Sequence, residues 1–338
     1  MRARTTGILL LLGLMVPALL LLELAWGSTA VPFPEALADL VHGSRGGGIS
    51  IVRDLRLPQA LTAIIAGAGL AAGGLLMQTV FRNPLAGPSI LGVSSGAGLG
   101  VALVMLAFPL WSPLRLPADL ALLAAALAGA LGTLMVVMAA DRRVGHPATL
   151  LIVGLLIGYL CSALVSVLEA AGTATAVHGF VLWGMGSFAG VGMDRVPWLA
   201  VPVVVGLVLA LAAIKPLNAL LLGEAYAHTM GVDAVLVRRA LLWCTGVMAG
   251  AITAFCGPIA FIGLVTPHLA RALLRTSHHG LLLPATILLG ASLAMACDLI
   301  ARIGIAGTVL PLNAVTSLLG VPVVAWVLFA GKRWSSAA

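Results

Sequence analysis

The chain has 338 residues, of which 61% are hydrophobic and only 9% charged, and its formal net charge is +7. A soluble domain carries about a quarter charged residues, so this composition excludes an ordinary soluble protein and predicts an all-α polytopic membrane protein. The positive charges lie between apolar runs and form no basic stripe, which argues against nucleic acid as a partner.

Ten apolar runs are candidates for transmembrane helices. They lie near residues 7–26, 58–81, 90–109, 117–140, 148–168, 197–214, 240–256, 258–274, 281–300 and 312–330. The first run follows Arg2 and Arg4, as in a secretory signal, but it exceeds the roughly 7–15 apolar residues of such a signal. We therefore expect this run to be a retained first helix.

The lysines and arginines predict how these helices are oriented. With the N-terminus inside, twelve of the 18 basic residues fall in inner segments, and the outer six are Arg45, Arg53, Arg56, Arg115, Arg195 and Arg302. Because cytoplasmic loops carry the excess of Lys and Arg, this alternation predicts a multi-pass protein of the inner (cytoplasmic) membrane. Both termini are then cytoplasmic.

Two connections between the predicted spans are long. Residues 27–55, on the outer side, are expected to lie over the surface of the protein. Residues 215–239, on the inner side, contain Lys, Glu, Asp and two Arg, so this segment is not expected to span the membrane. We expect one or two short helices at the cytoplasmic face. Composition fits an ordinary interfacial helix and a docking surface equally well.

A faint internal similarity links two parts of the chain. The helix that ends at Asn83-Pro84 and the run 246–268 each join a small-residue helix, a proline break and a new helix, in opposite predicted directions. Inverted repeats are common in transporters, which predicts two loosely related inverted halves. Chance similarity between apolar segments is the alternative.

The carboxylates test for an ion-coupled carrier. Residues such as Glu23, Asp141, Glu169 and Asp298 fall in loops or within a turn or two of a predicted span end. Charges near the middle of a bilayer are costly and usually functional. Because no predicted span centre contains one, an ion-coupled secondary transporter is kept only as the alternative function.

A serine hydrolase is a third hypothesis. Gly92 to Gly96 match GxSxG, a motif that needs a strand-to-helix turn and a histidine partner for Ser94. This segment instead enters a predicted membrane helix, and the nearest histidine in the sequence is His146. Close packing of small residues between helices explains the string better.

Cofactor sites receive little support from the sequence. His278 and His279 have no carboxylate or cysteine at ligand spacing, so we predict no metal site. The four cysteines lie in apolar runs without CxxC pairing and are expected to be buried thiols. The chain contains no P-loop, so we expect ATP and Mg²⁺ to bind a separate chain.

Four blocks carry a resemblance to a known family. They are RLPQ at 56–59, FRNPLAGPSILGVSSGAGLG at 81–100, GPIAFIGLVTPHLAR at 257–271 and PLNAVTSLLGVP at 311–322. In these blocks the chain resembles the FecCD-type permeases, which are membrane subunits of type II ABC importers for iron siderophores, haem and vitamin B12. The resemblance implies a second copy of this chain, two ATP-binding cassette subunits and a periplasmic or lipid-anchored binding protein. It favours an iron chelate as substrate, because those are commoner in the family.

The resemblance also implies roles for particular residues. For coupling to the ATPase within 215–239, it indicates Gly223, Glu224, Ala225, His228, Gly231 and Asp233. For docking the binding protein through exposed outer arginines, it indicates Arg53, Arg56 and Arg302. For the gate and translocation pathway, it indicates Asn83, Pro84, Leu85, Pro147, Thr149, Gly257 and Pro258. Val309 and Asn313 depart from the family pattern, which has Glu and Gly there.

Overall fold

The computed structural model describes residues 2–27, 32–42, 50–107, 117–144, 147–303 and 308–331. The predicted all-α fold is confirmed, since the regular elements of these residues are helices. The α-helices are α1 Arg2–Ala25, α2 Phe33–His42, α3 Leu57–Val80, α4 Val93–Ala102, α5 Ala118–Val144, α6 Pro147–Ala171, α7 Ala174–Gly184, α8 Val196–Ala212, α9 Ile214–Leu221, α10 Glu224–Thr229, α11 Ala234–Cys256, α12 Ile262–Leu274, α13 His279–Ile303 and α14 Leu312–Gly331. A π-helical turn, Ile51–Arg56, precedes α3, and another, Leu103–Ala107, extends α4.

Each of the ten predicted spans corresponds to an apolar helical segment. By length and composition, six helices of the described residues are long enough to cross a membrane, and a seventh span results if the bent pair α8 and α9 counts as one. Those two helices meet at an angle of 57°. The other three predicted spans match shorter apolar helices, Val93–Ala107, Ile262–Leu274 and Leu312–Trp326.

The chain forms two compact units, each assembled from segments that are distant in the sequence. The first unit comprises Met1–Leu75, Phe188–Pro197 and Ile259–Ala338. The second comprises Leu76–Ser187 and Trp198–Pro258. These units interleave along the chain and do not coincide with an N-terminal and a C-terminal half, so the inverted relationship of two halves stays a prediction.

Glycines allow helices of the first unit to approach closely. A Cβ atom at Gly74 of α3 would overlap the backbone of Gly263 in α12, and one at Gly67 would overlap the Gly290 carbonyl of α13. In lipid, such small-residue contacts let backbones pack directly and supply much of the association energy. Accordingly, α3 is buried over most of its length.

The second unit packs α4 against α5, α6 and α11 in the same way. A Cβ at Gly96 would overlap the Thr133 side chain, and one at Gly100 would overlap the Ala125 carbonyl. Ser94 lies in the first turn of α4, and its hydroxyl lies 3.2 Å from the hydroxyl of Thr253. The packing interpretation of the GxSxG string is therefore confirmed, and Ser94 lacks the strand-to-helix turn that a hydrolase nucleophile requires.

Two helices lie where the sequence predicted none. The outer segment 27–55 contains α2, which contributes Ala36 to a small core with Leu24 and Val52. Between the fifth and sixth predicted spans lies α7, whose N-terminus is capped by the Thr173 hydroxyl. Both helices are short, so neither gives an apolar run long enough to be recognised as a span. All four cysteines are buried thiols, as predicted.

Candidate coupling, gate and docking sites

The predicted coupling segment, residues 215–239, folds as α9, α10 and the first turn of α11. Its turns depend on Gly223 and Gly231, which have φ values of +116° and +77° that side chains disfavour. Asp233 caps α11, since its Oδ1 accepts hydrogen bonds from Val235 N and Leu236 N, both at 3.0 Å. A core of Ala219, Leu220 and Ala227 holds the two short helices together.

Most of the predicted coupling residues lie on the surface of this segment. Glu224, Ala225, His228, Gly231 and Asp233 are exposed, and Gly223 is partly buried. Large apolar side chains are exposed beside them: Leu222, Tyr226, Met230 and Leu236. Apolar side chains clustered among polar ones are typical of a surface that contacts another protein. The segment therefore has the chemistry that docking requires.

A network of four charges ties the coupling segment to the end of α5. Asp141 is 2% exposed and contacts two arginines, Arg238 Nε at 3.1 Å and Arg239 Nε at 2.8 Å. The same Arg238 guanidinium lies 3.7 Å from Glu224 Oε1 at the start of α10. Of the four groups, Asp141 and Arg238 are buried, and burying two charges has an acceptable cost only where they pair closely, as they do here.

The predicted gate turn after α3 is held by a local hydrogen-bond pattern. Asn83 Oδ1 accepts a hydrogen bond from Leu85 N at 2.9 Å, and Asn83 N donates to Gln78 O at 3.2 Å. This Asx turn exposes Pro84 and leaves Leu85 43% exposed. Arg82, whose φ is +46°, donates from Nη2 to Leu220 O at 3.3 Å. The turn therefore contacts the end of α9 directly.

The other predicted gate residues occupy two different places. Pro147 begins α6, and Thr149 is exposed in the first turn of that helix. Gly257, with φ +73°, follows the last residue of α11, and Pro258 comes next. With 23 residues, α11 is about 35 Å long, so Gly257 lies that far from the start of the helix. Gly257 lies against the end of α7, since a Cβ there would overlap the Trp183 carbonyl.

The predicted exposure of the docking arginines is wrong for two of the three. Arg53 is exposed, but Arg56 is 5% exposed and Arg302 is 9% exposed. Arg56 Nη1 donates to the carbonyls of Leu24 at 2.8 Å and Ala25 at 3.0 Å, at the end of α1. Its guanidinium satisfies orphan carbonyls at a helix C-terminus and is not directed to solvent.

Arg302 is buried because it pairs with two carboxylates of its own unit. Its Nη2 lies 2.8 Å from Asp298 Oδ2 and 3.2 Å from Glu23 Oε2. Asp298 also accepts two hydrogen bonds from Gln59 Nε2, each at 3.0 Å. The cluster joins the ends of α1 and α13 to the start of α3, and these contacts explain why Arg302 is withdrawn from the surface.

The two departures from the family pattern also differ in their surroundings. Val309 is 65% exposed. Asn313, at the start of α14, accepts a hydrogen bond from Ala260 N through Oδ1 at 3.0 Å. A glycine could not make this bond, so Asn313 has a structural role in its own unit.

Comparison with known proteins identifies the family to which the chain belongs. The sequence model described as the FecCD transport family matches residues 6–330. The chain belongs to the FecCD transport family. The class predicted from the sequence, a permease subunit of an ABC importer in a membrane, is confirmed.

Relatives of this FecCD chain match over most of its length. It is 38% identical over 290 residues to the vitamin B12 import system permease protein BtuC of Escherichia coli O9:H4 (strain HS), covering 85% of this chain and 86% of that protein. The protein of the same name from Klebsiella pneumoniae subsp. pneumoniae is 36% identical over 325 residues, covering 95% and 93%. A solved structure described as an inward-facing conformation of a metal-chelate type ABC transporter superposes with a TM-score of 0.81 at 29% identity. That match covers 96% of this chain and 99% of that one.

Several contacts of the FecCD chain could not be found from its sequence. Asp141 was identified there only as a carboxylate at a span end, and its partners Arg238 and Arg239 only as inner positive charges. Their separations of 97 and 98 residues carry no sequence signal. The available signal was weaker: opposite charges at ends of spans predicted to lie on one face of the membrane.

Proposed function

We propose that this chain is the membrane-spanning permease subunit of a binding-protein-dependent ABC importer for a large metal chelate. The observation that carries the proposal is the exposed coupling segment, which contacts both the Asn83 turn and the end of α5 through side chains. A subunit that is driven by a separate ATPase needs a surface that binds the ATPase. This surface must be connected to the residues that open and close the pathway.

The proposed substrate is a corrinoid or an iron chelate such as a siderophore or haem. Relatives named as vitamin B12 permeases support the corrinoid, and the structural neighbour of metal-chelate type supports the wider class. Exposed apolar side chains along α6, such as Leu156, Tyr159 and Leu160, offer a bulky chelate a weakly interacting surface. The corrinoid is the first substrate to test.

The proposed partners are a second copy of this chain, two ATP-binding cassette subunits that hold ATP and Mg²⁺, and a periplasmic or lipid-anchored binding protein. The coupling surface of 215–239 would receive the ATPase, and exposed Arg53 would pair with carboxylates of the binding protein. The buried guanidinium groups of Arg56 and Arg302 are dropped from this docking set.

The proposed orientation has both termini in the cytoplasm of a cell whose inner membrane holds the protein. Contacts within each unit support the alternation of spans on which this orientation depends, because they join helix ends that the charge rule assigns to one side. Arg56 and Arg302 meet the end of α1 on the predicted outer side. Asp141 meets Arg238 on the predicted inner side.

Uptake by proteoliposomes tests this function. The complex of permease, ATPase and binding protein is reconstituted, and labelled cobalamin, haem and a ferric siderophore are offered separately. We expect ATP-dependent accumulation of one of them. Accumulation by the permease alone under a proton or sodium gradient, without nucleotide, would instead establish the ion-coupled transporter.

A further inference from the structure

The coupling segment contacts one predicted gate element, the turn after α3, and the helix that precedes the other, α5. On one side, Arg82 of the turn after α3 donates to Leu220 O at the end of α9. On the other, Asp141 lies one turn before α5 ends at Val144, and it pairs with Arg238 and Arg239 at the start of α11. The helix after α5 starts at Pro147 and includes Thr149, so Asp141 lies close in sequence to the second gate element.

The ion pair between Asp141 and Arg238 is expected to persist when the coupling segment moves. Both Asp141 and Arg238 are almost completely buried, at 2% and 3% exposed. Separating them would leave the buried Arg238 guanidinium with only its 3.7 Å contact to Glu224, which is strongly unfavourable. The end of α5 and the start of α11 therefore move together.

The contact between Arg238 and Glu224 is of a different kind. The side chain of Glu224 is 50% exposed and lies 3.7 Å from Arg238 Nη1, beyond ordinary hydrogen-bond distance. Water can solvate this carboxylate if the contact lengthens, so the free-energy change is small. The planar guanidinium of Arg238 thus contacts two carboxylates. Its contact with Asp141 is rigid, and its contact with Glu224, the first residue of the exposed helix α10, can lengthen.

We propose that Arg238 is a positioning residue that relays displacement of α10, through Glu224 and Asp141, to the gate element at the start of α6. The hydrogen bond from Arg82 to Leu220 provides the corresponding link to the Asn83 turn. This inference rests on the proposed function, since it assumes that an ATPase displaces the coupling segment. Arg239 contacts Asp141 but has no contact with Glu224 among the described residues, so it stabilises the pair without relaying motion.

The difference between the two arginines provides a matched test. Arg238→Lys and Arg239→Lys make the same chemical change beside the same aspartate. A lysine ammonium is a compact point charge and cannot reproduce the two-sided contact of a guanidinium. Only the Arg238 variant therefore breaks the connection between Glu224 and Asp141, while both variants keep a positive charge near Asp141.

The readout is the opening of the gate in response to nucleotide. Thr149→Cys introduces an exposed thiol, and the four natural cysteines are buried. Maleimide labelling of the introduced thiol is measured in the assembled complex with and without ATP and vanadate. ATP hydrolysis is measured in parallel. Without the Lys changes, and with Arg239→Lys, we expect nucleotide to change the labelling rate by about fivefold or more. With Arg238→Lys, we expect a change below about twofold while ATP hydrolysis continues.

A variant at the exposed residue Glu224 tests the relay without changing the buried residue Arg238, whose replacement could impair folding. Glu224→Gln removes the exposed end of the relay, and we expect it to reduce the nucleotide response as Arg238→Lys does. Equal responses in the two lysine variants, or an unchanged response in Glu224→Gln, would overturn the relay while leaving the transport function intact. Loss of ATPase binding by Arg238→Lys would also overturn it, because Arg238 would then act in docking. If the complex that carries the unsubstituted chain neither hydrolyses ATP nor accumulates a chelate, the proposed function itself fails.

Discussion

Replacing Arg302 by methionine is expected to destabilise the first unit severely. Arg302 lies between Glu23, which is 0% exposed, and Asp298, which is 4% exposed. Methionine has similar length but no charge, so the variant leaves two buried carboxylates close together without their cation. Removing one partner from a buried ion pair costs about 3–5 kcal/mol. Asp298 keeps its hydrogen bonds from Gln59, so most of the loss falls on Glu23.

The assay is thermal unfolding of the purified complex in detergent. At about 2 °C per kcal/mol for a chain of this size, the apparent Tm should fall by about 6–10 °C. Arg53→Met is the matched control, because Arg53 is exposed and its replacement should leave Tm nearly unchanged. Adding Glu23→Gln to Arg302→Met removes one of the two carboxylates and should recover part of the loss. Equal Tm values for Arg302→Met and Arg53→Met would refute the argument from burial.

Three further predictions use single substitutions. Gly74→Ala should lower the yield of folded protein, because its Cβ would overlap the opposing backbone, whereas Gly132→Ala meets nothing within 4 Å and should be neutral in the same expression assay. Asp233→Ala should lower stability by about 1 kcal/mol through loss of the α11 cap, with Asp233→Ser restoring most of the Tm; equal Tm for both would contradict the capping role. Arg53→Glu should weaken binding of the binding protein in a pull-down and make the remaining binding less sensitive to salt, and unchanged affinity would argue against docking there.

The long apolar helices were predictable from the sequence because continuous runs of apolar residues determine their positions. Long apolar runs give the positions of α3, α5, α6, α11 and α13, since a helix satisfies its backbone N–H and C=O groups within a single segment in lipid. The break between α8 and α9 coincides with the predicted end of a span at residue 214, whereas the short helix α7 was missed because it lacks a long apolar run.

The side-chain contacts were less predictable because they depend on packing between distant segments. Arg302 was expected at the surface, where an outer arginine is available to a partner. Its burial depends on Glu23, 279 residues away, and on Asp298 one helical turn earlier. The resemblance to a family supplied candidate coupling residues, but it did not indicate that Asp141 contacts the segment that contains them.

The central claim is that a separate ATPase subunit supplies the energy for transport through this chain. It is tested most directly by comparing two vesicle preparations with the same labelled chelates. One contains this chain alone with an imposed proton or sodium gradient, and the other contains the chain with its ATPase and binding protein. We predict no accumulation in the first and ATP-dependent accumulation in the second. Accumulation in the first, without nucleotide, would contradict the assignment of the energy source to a separate subunit.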